Sequence, residues 1–366
     1  MKKIFISVGD PSADRHAANL MKEIKLLLPD VKFIGIGGES MIKEGLDSIA
    51  NLKDISVVGF WEVAKKYIFF NNLLQQSFEL LKKEKVDLFL PVDYPGFNIR
   101  LAKKAKSLNI KVIYYIAPQL WAWGKNRAVH LKKNIDLLLV VFPFEVEYFK
   151  NFGINSIFVG HPLLDYEEFN FKIKNYYERE ELIAFLPGSR TQEVIRHKKF
   201  IIGLAKELEH NLPNYKLVVS QSKNLDDKLF SDIKKLDNII IEKDTYKLFQ
   251  TAKAGIIKTG TSNLEAALSG LPFVMLYRTS FITYFLARKM INLSYISIIN
   301  ILKNKLIVKE LIQNDANEKK IVNNVKELIE NQEYYNYIQN EFNELRTYLG
   351  NKGAAKNVAK IICDNL

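Results

Sequence analysis

Leu186-Pro187-Gly188-Ser189-Arg190, running into Thr191-Gln192-Glu193, joins an apolar run to a glycine turn and then to a helix start. Those parts in that order make an anion site. Free N–H groups and the positive end of the helix dipole face the turn, and glycine lets a phosphate approach the backbone. Arg190 sits where its planar fork could clamp a diphosphate. The same stretch also reads as an ordinary strand-to-helix turn with Arg190 on the surface. Thr259-Gly260-Thr261-Ser262-Asn263-Leu264-Glu265 repeats the design. Its hydroxyls could bond phosphate oxygens and Glu265 could accept from a ribose hydroxyl pair, although Ser262 and Glu265 also have capping-box spacing. Asp93, at the end of an apolar run, could take a proton from an attacking hydroxyl, or could simply close an Asx turn in Asp93-Tyr94-Pro95-Gly96. His16 is a second candidate base, with a structural role the plainer alternative.

The elements needed to hold these residues are legible as strand–turn–helix alternation. Short apolar runs at residues 3–8, 33–36, 86–92, 111–115, 137–141 and 157–159 alternate with helical stretches, the first from His16 with Asp14 as its expected N-cap. The alternation restarts at residues 183–186 and continues through 217–220, 239–241, 255–258 and 273–276, with helices expected near 192–208, 225–235, 245–251 and 262–269. This pitch predicts an α/β chain of two doubly wound, Rossmann-like domains. Such sheets bind ligands beyond the C-terminal ends of their strands, so the active site is expected in the cleft between the domains. The expected division is 1–164, a polar linker 165–181, a second domain 182–340 and a helical tail 341–366 packing back on the first domain.

Composition narrows the function. At 366 residues the chain suits two cores, and nearly half of it is hydrophobic. A single cysteine, Cys363, excludes an internal disulfide framework. The histidines lack metal-ligand spacing. G-x-x-x-x-G-K-[ST] is absent, which excludes a P-loop triphosphatase, and so is G-x-G-x-x-G, which argues against a dehydrogenase. No D-x-D pair is present to hold a metal–diphosphate complex, so neither metal nor cofactor is expected, and Arg190 with the helix starts must offset the charge on a leaving diphosphate. A net charge of +12 suits an anionic partner, with nucleic acid the weakest choice because no binding motif accompanies the charge. The apolar run after Met1-Lys2-Lys3 stops at Gly9-Asp10, too soon for a signal peptide, and no run reaches the roughly 18 apolar residues of a membrane span. Residues 57–74 are aromatic and flanked by Lys65 and Lys66. They read either as a core helix or as a surface that dips into a bilayer interface and holds acyl chains.

Taken together, several stretches resemble one family. They are Val8-Gly9-Asp10-Pro11-Ser12-Ala13-Asp14, Val58-Gly59-Phe60-Trp61-Glu62-Val63, Val92-Asp93-Tyr94-Pro95-Gly96-Phe97-Asn98 and Pro118-Gln119-Leu120-Trp121-Ala122-Trp123. Phe142-Pro143-Phe144-Glu145, Val159-Gly160-His161-Pro162 and the two glycine turns of the second half complete the set. The chain resembles the lipid-A-disaccharide synthases, inverting glycosyltransferases of the GT-B type. The resemblance implies transfer of the sugar of UDP-2,3-diacylglucosamine to the 6-hydroxyl of 2,3-diacylglucosamine 1-phosphate (lipid X), with release of UDP. It implies an essential aspartate at Asp93 and an essential arginine at Arg190, and leaves His16 unassigned. Substrate and nucleotide contacts are implied at Ser12, Asp14, Asn98, Gln119, Trp121, Gly188, Ser189, Glu193, Gly260, Thr261, Ser262 and Glu265. Membrane or acyl contacts are implied at Phe60, Trp61, Ile68 and Phe69, with a cytoplasmic protein held peripherally on the inner membrane. Association into a homo-oligomer is left open. Two departures stand out. The first turn reads Gly-Asp-Pro-Ser-Ala-Asp where Gly-Glu-x-Ser-Gly-Asp is usual, and Gly96 replaces a common second aspartate. The rival is another UDP-sugar enzyme of the same architecture, a UDP-N-acetylglucosamine 2-epimerase or a peptidoglycan-type transferase.

Overall fold

A computed structural model describes the chain except at residues 53–62, 123, 125–126, 189–190, 223–224, 280–283 and 286–293. It divides into two compact units, Met1–Tyr166 with Leu349–Leu366, and Glu167–Tyr348.

In the first unit, seven parallel strands are found among the described residues: β1 (Lys3–Ser7), β2 (Lys32–Ile36), β3 (Leu46–Ser48), β4 (Leu88–Pro91), β5 (Lys111–Tyr115), β6 (Leu137–Val140) and β7 (Ser156–Phe158). Their order is β3-β2-β1-β4-β5-β6-β7. Sequences such as Leu137-Leu138-Leu139-Val140 are apolar without alternation because helices cover both faces of a parallel sheet. The helices are α1 (Pro11–Leu27), α2 (Glu39–Lys43), α3 (Val63–Lys83), α4 (Pro95–Ser107), α5 (Arg127–Asn134) and α6 (Phe144–Lys150). Strand order reverses between β1 and β4, and this is where a doubly wound sheet opens a crevice at its C-terminal edge. The C-terminal helix Ala354–Cys363 returns to this unit and packs on α1. The Asp165 carboxylate accepts the backbone N–H groups of Gly353, Ala354 and Ala355, satisfying three donors that the start of that helix would otherwise leave open.

The second unit repeats the plan with β8 (Glu180–Leu186), β9 (Lys216–Ser220), β10 (Ile239–Glu242), β11 (Ala252–Lys258), β12 (Phe273–Tyr277) and β13 (Glu310–Ile312), in the order β10-β9-β8-β11-β12-β13. Its helices are α7 (Thr191–Asn211), α8 (Thr245–Thr251), α9 (Thr261–Leu268), α10 (Ile298–Lys303), α11 (Glu318–Glu330) and α12 (Gln332–Tyr348). Here the order reverses between β8 and β11, at the two glycine turns. The helix expected near 225–235 is instead two single 3₁₀ turns, Asp227–Phe230 and Ile233–Lys235. The stretch 165–181 carries 3₁₀ turns at Glu167–Phe169 and Tyr176–Glu178 and buries Phe169 completely. Helix α12 stays with the second unit, and the chain rejoins the first at Leu349. No helix among the described residues is long and apolar enough to cross a membrane.

Candidate active site

In the first unit the site is built on the β1/β4 switch point. Asp93 and Tyr94 both take left-handed backbone angles, φ 49° and 54°. That conformation is uncommon for any residue with a side chain and needs surroundings that fix it. The surroundings are present. The Asp93 N–H donates to Tyr115 O at 3.0 Å, and Asp93 O accepts from Tyr114 Oη at 2.6 Å and from Asn98 Nδ2 at 2.7 Å. Asn98 Nδ2 also reaches Ser7 O at 3.1 Å, tying β1 to the first turn of α4. The Tyr94 ring lies flat against Gly9, where a Cβ would come within 2.2 Å of it, so this turn needs a glycine at position 9. Asn98 is thus a brace for the Asp93 turn.

With its backbone held, the Asp93 side chain is left at the edge of the sheet. Burial, reinforced by the nearby Asp10 carboxylate, raises its pKa from the ordinary 3.8 to about 6. A carboxylate with that proton affinity is ionised near neutrality and is a better base than a solvated aspartate. At Gly96 a side chain would meet open space, so the missing second aspartate leaves this turn's packing unchanged.

The neighbouring residues divide by what their side chains touch. Asp10, not Asp14, is the N-cap of α1, accepting from the N–H groups of Ser12 and Ala13. Asp14 is buried and accepts from the backbone N–H groups of Gly38, Ser40 and Met41 at the start of α2. Its carboxylate therefore holds two helices together. Ser12 is exposed on the first turn of α1. His16 Nδ1 is hydrogen-bonded to Tyr166 Oη at 2.6 Å and stacks on that ring, whose face also carries the Arg15 guanidinium at 3.8 Å. Burial, with help from Arg15, lowers the His16 pKa to about 3, so the imidazole is neutral.

The aromatic loop after β5 begins at Ile116, another left-handed residue (φ 61°), and exposes Gln119 while burying Leu120. Trp121 Nε1 donates to Glu145 Oε1 at 3.0 Å. Phe60 and Trp61 lie outside the described residues. Ile68 on α3 is 61% exposed, and Phe69 begins an aromatic row through Phe70 and Tyr94 to Phe97.

In the second unit β8 and β11 end side by side, and each feeds a helix start. Ser189 and Arg190 lie outside the described residues. Gly188 is in a glycine-favouring conformation (φ 115°), and a Cβ there would fall 2.0 Å from Glu193 Oε2. Glu193 folds back on the turn and pairs with Lys258 at 2.6 Å, so strand ends and helix start are bound together. His197 Nδ1–H donates to Pro187 O at 3.0 Å on the same turn. Gly260 is the N-cap of α9 with no side-chain cap. The capping-box alternative for Ser262 and Glu265 does not form. Ser262 lies inside the helix, and Glu265 Oε1 accepts from Tyr246 Oη at 3.2 Å. Thr261 is exposed at the helix start. Two helix N-termini at one switch point suit a diphosphate. Tyr114, Glu145, Tyr246 and Lys258 had no role in the sequence reading. Only Glu145 carried a signal, as the one charged residue of a Phe-Pro-Phe-Glu turn at a strand end.

Comparison with known proteins decides among enzymes of this plan. The family model for lipid-A-disaccharide synthetase matches residues 4–363. The chain belongs to the lipid-A-disaccharide synthase family. A synthase from Sulfurihydrogenibium sp. is 36% identical, the match covering 99% of this chain and 98% of that one. Those from Persephonella marina and Coxiella burnetii are 34% and 31% identical over the same shares of each chain. Among solved structures, the S. aureus MnaA–UDP co-structure aligns at a TM-score of 0.64 with 15% identity, covering 100% of this chain and 98% of that one. The Neisseria meningitidis UDP-GlcNAc 2-epimerase bound to UDP-GlcNAc aligns at 0.61, also with 15% identity, over 100% and 99%. These likenesses establish the shared α/β, GT-B-like fold. The sequence relatives separate the synthase family from the epimerases.

Proposed function

We propose that the protein is an inverting glycosyltransferase that joins UDP-2,3-diacylglucosamine to 2,3-diacylglucosamine 1-phosphate, giving the disaccharide 1-phosphate and UDP. One observation carries the mechanism: Asp93, held in a strained turn at the switch point, with a carboxylate whose proton affinity has been raised toward neutrality. Asp93 accepts the proton of the acceptor's 6-hydroxyl as that oxygen attacks the anomeric carbon. The bond from that carbon to the UDP oxygen breaks on the opposite face. The leaving diphosphate is assigned to the helix starts after Gly188 and Gly260, with Arg190 as its guanidinium partner. His16, neutral and engaged with Tyr166, is read as a packing residue and not as a second base. Asp14 and Asn98 are likewise assigned to holding the acceptor-side loops. Exposed Ile68, the aromatic row behind it and the net charge of +12 support a peripheral position on an anionic membrane face, where both acylated substrates would lie. The direct test incubates the protein with both acylated sugars and follows UDP and the disaccharide. Both products should form only when donor and acceptor are present together. Turnover of unacylated UDP-N-acetylglucosamine alone would sink the reading in favour of an epimerase-type activity.

A further inference from the structure

Glu145 is 1% exposed, and no lysine or arginine is seen paired with it among the described residues. A carboxylate in that position is costly unless its oxygens are used. Both are. Oε1 accepts the Trp121 indole N–H at 3.0 Å, and Oε2 accepts the Phe142 backbone N–H at 3.2 Å. Trp121 belongs to the loop after β5, and Phe142 to the turn after β6, so the side chain ties together two loops at the ligand edge. The β5 loop is itself strained at its root, because Ile116 is β-branched and sits at φ 61°. Such strain persists where the surroundings over-determine the backbone, and it clusters at ligand clamps. Trp121 is also packed edge to face against Phe144, 5.4 Å between centroids, yet part of it stays exposed. Strand β5 is the same strand whose Tyr114 and Tyr115 hold the Asp93 backbone. The fixed indole therefore shares its support with the acceptor-side base.

Given the transferase reading, we propose that Glu145 is a positioning residue, holding Trp121 as a rigid platform on which the pyranose ring of the acceptor packs. The apolar C–H face of a sugar ring suits an aromatic surface, and the buried tether removes the rotamer freedom that binding would otherwise have to freeze. Glu145→Gln leaves the shape but offers one oxygen and one NH₂ to two N–H donors, so one of the two ties is lost. Trp121→Phe removes the indole N–H while keeping an aromatic ring.

The test measures kcat and KM separately for acceptor and donor in wild type, Glu145→Gln, Trp121→Phe and the double variant. Burial raises the Glu145 pKa to about 7, so the assay is run at about pH 8.5, where the group is ionised. There each single variant should raise the acceptor KM about tenfold, on the scale of one hydrogen bond to a charged group, with the donor KM unchanged. In the double variant the two changes should not multiply, because each breaks the same tether. Multiplying effects would overturn the proposal, as would a loss confined to kcat with both KM values unchanged. Should Glu145→Gln fail to fold, an unchanged acceptor KM in Trp121→Phe alone overturns it. A wild-type protein that does not turn over the acylated sugars would instead defeat the transferase reading, which separates the two failures.

Discussion

At the scale of single residues, the proposed base role of Asp93 is linked to stability through one carboxylate. Its folded pKa, about 6, lies above the ordinary 3.8. The folded state therefore binds the proton more tightly than the unfolded chain. The stability this contributes is fully present below about pH 3.8 and is lost as pH rises through about 6. At pH 8 the ionised, half-buried carboxylate is a net cost, on the order of 1–2 kcal/mol after allowing for its contact with water. Asp93→Asn removes that cost and the base together. The variant should lose about 100-fold or more in kcat while melting higher than wild type at pH 8, with the difference shrinking toward pH 4. For the wild type, kcat/KM should rise with pH through about 6. A melting point lowered at pH 8 would show that the carboxylate is no net cost, and a variant within about tenfold of the wild-type rate would remove Asp93 from the role of base. Asp14 makes the contrasting case. It too is an aspartate in a motif stretch, but its oxygens face three backbone N–H groups and serve packing.

At the scale of elements, the helix that follows the second unit's Gly260 turn is held at its far end, where α9 is tied to the end of α8. Arg179 is buried and donates to the carbonyls of Phe249 and Ala252 at the end of α8, and to those of Ser269 and Gly270 at the end of α9. Helix C-termini carry partial negative charge and orphan carbonyls, so one planar guanidinium satisfies both ends at once. Lysine has a single nitrogen and cannot reproduce the fork. Arg179→Lys should destabilise the protein by about 2–4 kcal/mol in denaturant unfolding, since buried carbonyls lose their donors. A change under about 0.5 kcal/mol would show that water replaces the guanidinium at no cost. The element level is also where sequence reading lost detail. Residues 225–235 read as helical in the sequence, but they form two 3₁₀ turns, the first capped by Asp226, with Phe230 and Ile233 buried in the core. Strand β13 is only three residues long, too short for any apolar period to register.

At the scale of the whole molecule, the proposed peripheral position rests on the charge of +12 and on Ile68, exposed on α3. Attraction to an anionic surface is long-ranged at low salt, whereas insertion of apolar side chains is not screened. The protein should sediment with anionic vesicles and not with zwitterionic ones. Raising salt to about 1 M, where the Debye length falls to about 3 Å, should release most of it. Equal binding to both vesicle types would remove charge as the driving term, and no binding to either would refute the peripheral placement.

Much of this molecule could be read from its residues alone. Continuous apolar runs ending in glycine turns announce parallel strands feeding helices, because burial on both faces and an unobstructed approach to backbone N–H groups are local demands that residue type meets directly. The two-sheet plan, the glycine turns at the strand ends and Asp93 at a strand end follow from that. Folding in three dimensions decided what sequence spacing does not encode. It set the strand orders that bring Ser7 beside Pro91 and Leu186 beside Ile257. It turned Asp14 and His16 inward, and it brought Glu145 to Trp121 across 24 positions. Those outcomes depend on which distant groups compete for each buried hydrogen bond, and only the assembled core determines that competition.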